Sequence, residues 1–387
     1  MPRGLSAIPF LSMGFRPFFF AAAALALMIM PVWLWAWAHA PLYTPRLSAP
    51  QWHASVMVFG YGGAVLTGFV LTAVANWTAR PPVAGPWLLV LLALWLCALA
   101  APFIAGIAGE MVALAGSAFA VLLAGLVWRE VIAAGNRRNY KVAAVISVFA
   151  IAGLLFAWPG GGAGLQDIAI RLGLAVLAVL LTLVGGRITP AFTRNWLKAR
   201  GEEGPGPETR LDMAGLVLTP VAAALWVALP YEHLTGVMLV LAGLVAGARL
   251  VRWKALSVTA EPLLLTLHAG YAWTAIALVL LGLHALAPAW VPRDAGLHAL
   301  GGGAIGVMTL SVMTRATLGH TGRALKAGVA VSAMLLAINM SALLRVVSPW
   351  LEGLYGYGLM VSGALWTIAF AIFLALYAKP FFRPRLT

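Results

Sequence analysis

The sequence predicts an all-α, polytopic membrane protein with twelve transmembrane helices. Three observations carry this expectation. Of the 387 residues, 63% are hydrophobic and only 9% are charged, where a soluble domain carries about a quarter charged residues. The apolar residues gather in twelve runs, each close to the ~20 residues that cross the hydrocarbon layer of a bilayer. The Lys and Arg residues sort to one side of those runs, as they do in cytoplasmic loops.

The first run is Phe18–His39. It follows MPRGLSAIPFLSMGFRPFFF, which has no small-residue cleavage site after a short apolar core and so reads as a cytoplasmic lead-in. The next five runs are Trp52–Asn76, Trp87–Ile104, Met111–Ile132, Val142–Trp158 and Ile168–Arg187. The second half gives Met213–Leu229, Leu234–Leu250, Leu263–Leu286, His298–Thr317, Leu325–Val347 and Leu354–Ala378. Pro or Gly punctuates most connections, for example Pro81-Pro82, Pro159-Gly160 and Pro205-Gly206. The longest connection, TRNWLKARGEEGPGPETRLDM, is polar and Gly/Pro-rich, as solvated linkers are. The expected organisation is a single transmembrane domain over 1–387, with helices 1–6 in 1–200, a cytoplasmic linker at 201–212 and helices 7–12 in 213–387.

Placing the N-terminus in the cytoplasm puts 21 basic residues inside and three outside, Arg46, Arg293 and Arg345. Arg171, on the first turn of helix 6, can snorkel outward. A miscounted helix would scramble that split, so both termini are expected in the cytoplasm of a bacterial inner membrane. The net charge of +14 does not imply nucleic acid, because the basic residues sit in loops and form no helix-long stripe. The one cysteine, Cys97, lies in an apolar run and can form neither an internal disulfide nor a zinc site.

No carboxylate falls at mid-membrane. Glu110, Asp167, Glu232, Asp294 and Glu352 map to the outer ends, and the other acids to inner loops or helix edges. That weakens an ion-coupled transporter, which uses such groups. The histidines are patterned instead. His39, His53, His233, His284 and His298 fall at the outer boundary, His268 lies six residues past Pro262 at the cytoplasmic edge, and His320 is in an inner loop.

His53 and His298 stand apart. Each begins a helix running from outside to inside, and each precedes a glycine-rich stretch, FGYGGAVLTG and LGGGAIG. The positive end of a helix dipole disfavours imidazolium, so both rings are expected neutral, the form that binds metal. The glycines allow close helix packing or a flat ligand against the backbone. The inner ends of helices 2, 6 and 10 also resemble one another: TAVANWTAR, GGRITPAFTRN and SVMTRATLGHTGR each reach a Thr/Arg-rich cytoplasmic turn. A recurrence every fourth helix suggests a loose threefold repeat.

These segments resemble the NnrS family of bacterial membrane proteins. The matching stretches are GFRPFF, WHASVMVFGYGGAVLTGFVLTAVANWT, GGRITPAFTRN, LHAGYAW and HALGGGAIGVMTLSVMTRATLGHTGR, from Gly14 to Arg323. One departure is that Ala54 follows the helix-2 histidine, where the family often has Glu. The resemblance implies a twelve-helix inner-membrane protein containing haem and copper, associated with denitrification and with the response to nitric oxide. With no CxxCH in the chain, the haem would be non-covalent.

Within the matching segments, His53 and His298 are the expected haem ligands, and His268 and His320 the expected copper ligands. Met308 and Met313 are soft groups that could join reduced copper. A looser similarity is to the catalytic subunit of haem–copper oxidases, which has twelve helices in a threefold arrangement and holds a haem between histidines on its second and tenth helices. This chain lacks that subunit's copper histidines on helices 6 and 7, so the likeness is one of architecture.

The expected function is a membrane haem/copper protein of nitric oxide metabolism, resistance or sensing, with the bilayer, nitric oxide and respiratory reductases as partners. The alternatives are a secondary transporter of two six-helix halves and a factor delivering haem or copper to reductases.

Overall fold

A computed structural model describes residues 4–39, 47–104 and 109–386. Arg3 and Arg46, two of the residues counted for topology, lie outside them. Among the described residues there is no strand, and twelve helices are long and apolar enough to cross a membrane. They are α1 (Phe15–Ala38), α2 (Ala49–Thr78), α3 (Pro86–Phe103), α4 (Gly109–Ala133), α5 (Arg137–Ala157) and α6 (Gly162–Lys198). The remainder are α7 (Arg210–Ala228), α8 (His233–Val251), α9 (Pro262–Leu286), α10 (Arg293–His320), α11 (Val329–Trp350) and α12 (Tyr355–Phe381). The all-α, twelve-helix expectation holds.

Three sequence-based boundaries shift in ways that matter. α6 does not stop at Arg187 but runs to Lys198, so GGRITPAFTRN is helical although it was expected to turn. α2 and α10 begin before their histidines, at Ala49 and Arg293. His53 and His298 therefore sit in the second turn of their helices, and the expected placement at the helix start is corrected.

The chain divides into two compact units. The first comprises Met1–Val176, Ala316–Ala324 and Phe373–Thr387, and the second Leu177–Arg315 and Leu325–Ile372.

In the first unit, α2 is the central helix: 78% of its most apolar window is buried, against 22% for α3. It meets α1 through glycines. A Cβ on Gly68 would come within 2.6 Å of the Phe19 ring, and one on Gly14 within 2.7 Å of Leu71 Cβ. The N–H of Phe15 is capped by Thr72 Oγ1 at 2.9 Å, which satisfies one of the donors a helix start leaves open. Arg16 is almost fully buried and donates through Nη1 to the carbonyls of Pro380, Phe381 and Arg383, closing the end of α12. GFRPFF is thus first a packing and capping motif.

In the second unit α9 is the central helix, packed against α8, α10 and α11. Small residues set the α8–α9 contact: a Cβ on Gly243 would lie 2.8 Å from the Ala275 carbonyl oxygen, and one on Gly282 2.6 Å from that of Gly236. In a bilayer, where lipid is as apolar as a side chain, such close backbone approach drives association. Gly270 does the same against the backbone of Met308 on α10. Met308 and Met313 are both core residues, 2% and 0% exposed, and Met308 belongs to the apolar cluster around Tyr271.

Three helices depart from α-geometry. π-helical segments occur at Val56–Gly62 in α2, Leu181–Gly185 in α6 and Ala299–Val307 in α10. A π-turn inserts an extra residue, redirects the side chains beyond it, and concentrates at functional sites. The three positions recur every fourth helix, as the inner-end motifs do. A repeat of two six-helix halves would pair α2 with α8 and α6 with α12, and neither α8 nor α12 carries a π-segment.

Candidate functional site

His298 is placed one residue before the π-segment of α10. Its Nδ1 lies 2.8 Å from the backbone carbonyl of Asp294 on the preceding turn. A carbonyl only accepts, so Nδ1 carries a proton, and in the neutral ring Nε2 then keeps its lone pair. This is the arrangement of a metal-binding imidazole, whose second nitrogen is oriented by a hydrogen bond to a carbonyl. Beyond it, Gly301 and Gly302 have no heavy atom within 4 Å of where a Cβ would stand, whereas Gly303 packs against Trp273. The π-segment therefore offers one packed face and one bare face.

A cation stands beside it. Arg345, at the end of α11, reaches Asp294 Oδ2 at 3.3 Å and Tyr355 Oη at 3.4 Å through Nη2. Its side chain is only 12% exposed, and its Nη1 is buried with no hydrogen-bond partner. An unmet buried guanidinium donor is costly, so this N–H calls for an acceptor. Sequence reasoning counted Arg345 only as an outer-side charge. Its rarity there, one of three basic residues on that side, was the signal that could have singled it out.

His53 is three residues before the π-segment of α2, half-buried, with its ring stacked on Trp33 at 4.4 Å between centroids. It belongs to the first unit and His298 to the second. The expected copper pair divides in the same way, His320 in the first unit and His268 in the second. Within the first unit, His53 lies against Trp33 and His320 against Phe15. These partners are 18 residues apart on α1, about 27 Å at the helical rise. Within the second unit, the first turn of α10 packs Gly296 on Leu281 of α9, 13 residues from His268, or about 20 Å. Each unit thus holds one of these histidines towards each end.

His268 is buried and engaged at both nitrogens. Nδ1 faces the Leu264 carbonyl at 3.0 Å, and Nε2 faces the Trp253 carbonyl at 3.3 Å and Thr193 Oγ1 at 3.4 Å. It ties α9 to the loop after α8 and to α6. Next to it runs a buried ionic network: Arg249 pairs with Asp212 at 3.1 Å and donates to Tyr271 Oη, and Arg252 takes the other Asp212 oxygen at 2.9 Å. His320 packs its ring at a tilt against Phe15, 5.3 Å between centroids, and has Arg16 and Arg385 as its charged neighbours. Among the described residues, no group of three or more His, Cys, Asp or Glu side chains is gathered as a metal site.

The comparison with known families is decisive at the level of family. The match, described as NnrS protein, runs over residues 9–385. The chain belongs to the NnrS family. Among curated proteins, none matches it. The NnrS match takes in both π-segments that follow a histidine, the Arg16 cap and the Asp212–Arg249 pair, so the packing and the candidate site fall within the family's extent.

Proposed function

We propose that this NnrS protein is a haem-binding membrane protein of the nitric oxide response, with His298 as an iron ligand. The observation that carries the reading is local to the second unit. His298 presents an unprotonated Nε2, Gly301 and Gly302 bare the backbone beside it, and the buried Nη1 of Arg345 lacks an acceptor. A haem meets all three needs: an iron for the imidazole, a flat ring for the bare backbone, and carboxylates for the guanidinium.

When bound, haem supplies an iron that takes nitric oxide as a ligand. The chain's own residues do the rest. The Asp294 carbonyl fixes the tautomer and plane of His298. Arg345 would pair with a carboxylate of the bound group, in a low-dielectric setting where a charged pair counts for more than in water. His53, stacked on Trp33 ahead of its own π-segment, is the corresponding candidate ligand of the first unit.

Copper fits less well. His268 would have to give up the Trp253 carbonyl to free Nε2, and it is better described as a packing pin between α6, α9 and the α8–α9 loop. No step is assigned to copper here. The proposed setting is the bacterial inner membrane with both termini cytoplasmic, supported by the 21-to-3 division of basic residues.

The test is an absorption spectrum of the full-length protein, purified in detergent after expression with a haem supply. A Soret band that moves on addition of nitric oxide to the reduced protein is expected. Protein that retains no haem under these conditions would overturn the reading and favour a transporter.

A further inference from the structure

The first unit contains a cavity of about 540 Å³, within the range of small-molecule sites. It is framed by α2 to α6 and lined by residues of the first unit, whereas His298 belongs to the second. Three neutral polar side chains, Gln51, Ser55 and Gln166, line it on the first two turns of α2 and α6, the end assigned to the outer face. Deeper in are aromatic rings, Phe59, Phe119 and Phe149. Gln51 and Phe59 are eight residues apart on one helix, so the cavity extends about 12 Å into the unit at the helical rise. Among the described residues lining it, none is charged.

Two details show a built site. The π-segment of α2 supplies part of the wall, with Phe59 and Gly60, and the Gly60 carbonyl accepts a hydrogen bond at 2.9 Å from Nε1 of Trp95, itself a lining residue. The wall is thus held open without an exposed backbone acceptor. Gln51 is oriented by the start of α2: its Oε1 accepts from Ser48 N and Ser48 Oγ at 3.0 and 2.9 Å, a capping box. That fixes the amide so that its oxygen is used and its two N–H donors remain for a ligand.

The geometry points to a binding site for an uncharged, lipid-soluble ring compound bearing carbonyl or hydroxyl oxygens, the quinone class. The absence of charge among the described lining residues disfavours an ionised ligand, whose desolvation they would not offset. The aromatic walls favour a flat ring over a bare acyl chain. The free amide donors at the mouth favour an oxygen acceptor at the end nearest water. Entry would be from the outer half of the bilayer, where such compounds dissolve.

The experiment uses the full-length protein in lipid nanodiscs and a decyl-substituted benzoquinone as probe, with decylbenzene as the carbonyl-free control. Binding is read as saturable quenching of tryptophan fluorescence over that of empty-site variants, since Trp95 and Trp158 line the cavity. Gly153→Leu fills it, because a Cβ there meets only Ala120 at 4.0 Å. Gln51→Glu keeps the capping oxygen and removes the amide donors.

The expected result is saturable quinone binding, at least about tenfold weaker in Gly153→Leu and about fivefold weaker in Gln51→Glu, the factor for one net hydrogen bond. Decylbenzene, read by its competition with the quinone, should bind more weakly than the quinone and should not respond to Gln51→Glu. Quinone quenching without saturation, or equal affinity in the wild type and Gln51→Glu, would overturn the assignment, whether or not Gly153→Leu folds.

Discussion

Arg16, in the second residue of α1, donates through Nη1 to the backbone carbonyl of Arg383 at 2.6 Å. One buried guanidinium thereby closes the end of the last helix, 367 positions along the chain. The same nitrogen also reaches Pro380 and Phe381 at 3.2 and 3.0 Å. Arg16→Ala should cost about 2–4 kcal/mol, since it removes charge-assisted bonds and strands buried carbonyls. Arg16→Lys should recover only part, because an ammonium lacks the planar fork. The check is the thermal unfolding midpoint in detergent. An unchanged midpoint in Arg16→Ala would show that the C-terminal cap is dispensable.

The Asp212–Arg249 pair makes a second prediction. The side chains are 9% and 3% exposed, and Asp212 also holds Arg252 and the backbone N–H of Thr209. Removing one partner leaves a buried charge, so Asp212→Ala and Arg249→Met should each destabilise by about 3–5 kcal/mol. The double variant Asp212→Ala/Arg249→Met should cost clearly less than the sum. Strict additivity in denaturant unfolding would mean that the two side chains act independently.

Much of this architecture was legible in the sequence, for a physical reason. Backbone groups in lipid must be satisfied within the segment, so each crossing leaves an unbroken apolar run. Helix ends were less legible. α6 runs past Arg187 to Lys198 with Pro190 inside its last α-helical stretch, Gly186–Lys198, so neither the arginine nor the proline marks its end. The π-segments themselves left only glycine runs as a trace, since a helix that is apolar all round has no stripe whose shift would betray an extra residue. Depth along the membrane placed His53 and His298, but no periodicity could show the Asp294 carbonyl on His298 or the unmatched Nη1 of Arg345. Those depend on how the end of α11 meets the first turns of α10.

Orientation is tested by reporter fusions. Fusions after Arg200 and after Lys379 should both report cytoplasm, because 21 of the 25 basic residues were assigned to that side. A periplasmic signal at either point would break the assignment of outer and inner ends on which the description of both candidate sites rests.

The most direct test of the central claim is the haem content of His298→Ala, measured as Soret absorbance per mole of purified protein. Two interfacial histidines serve as controls: His284, whose Nδ1 is bound to the Val291 carbonyl at 2.8 Å, and His39, stacked on Trp35. The proposal predicts that His298→Ala loses its Soret band or shifts it strongly, while His284→Ala and His39→Ala keep the wild-type spectrum. A His298→Ala protein with wild-type haem content and an unshifted Soret band would contradict it.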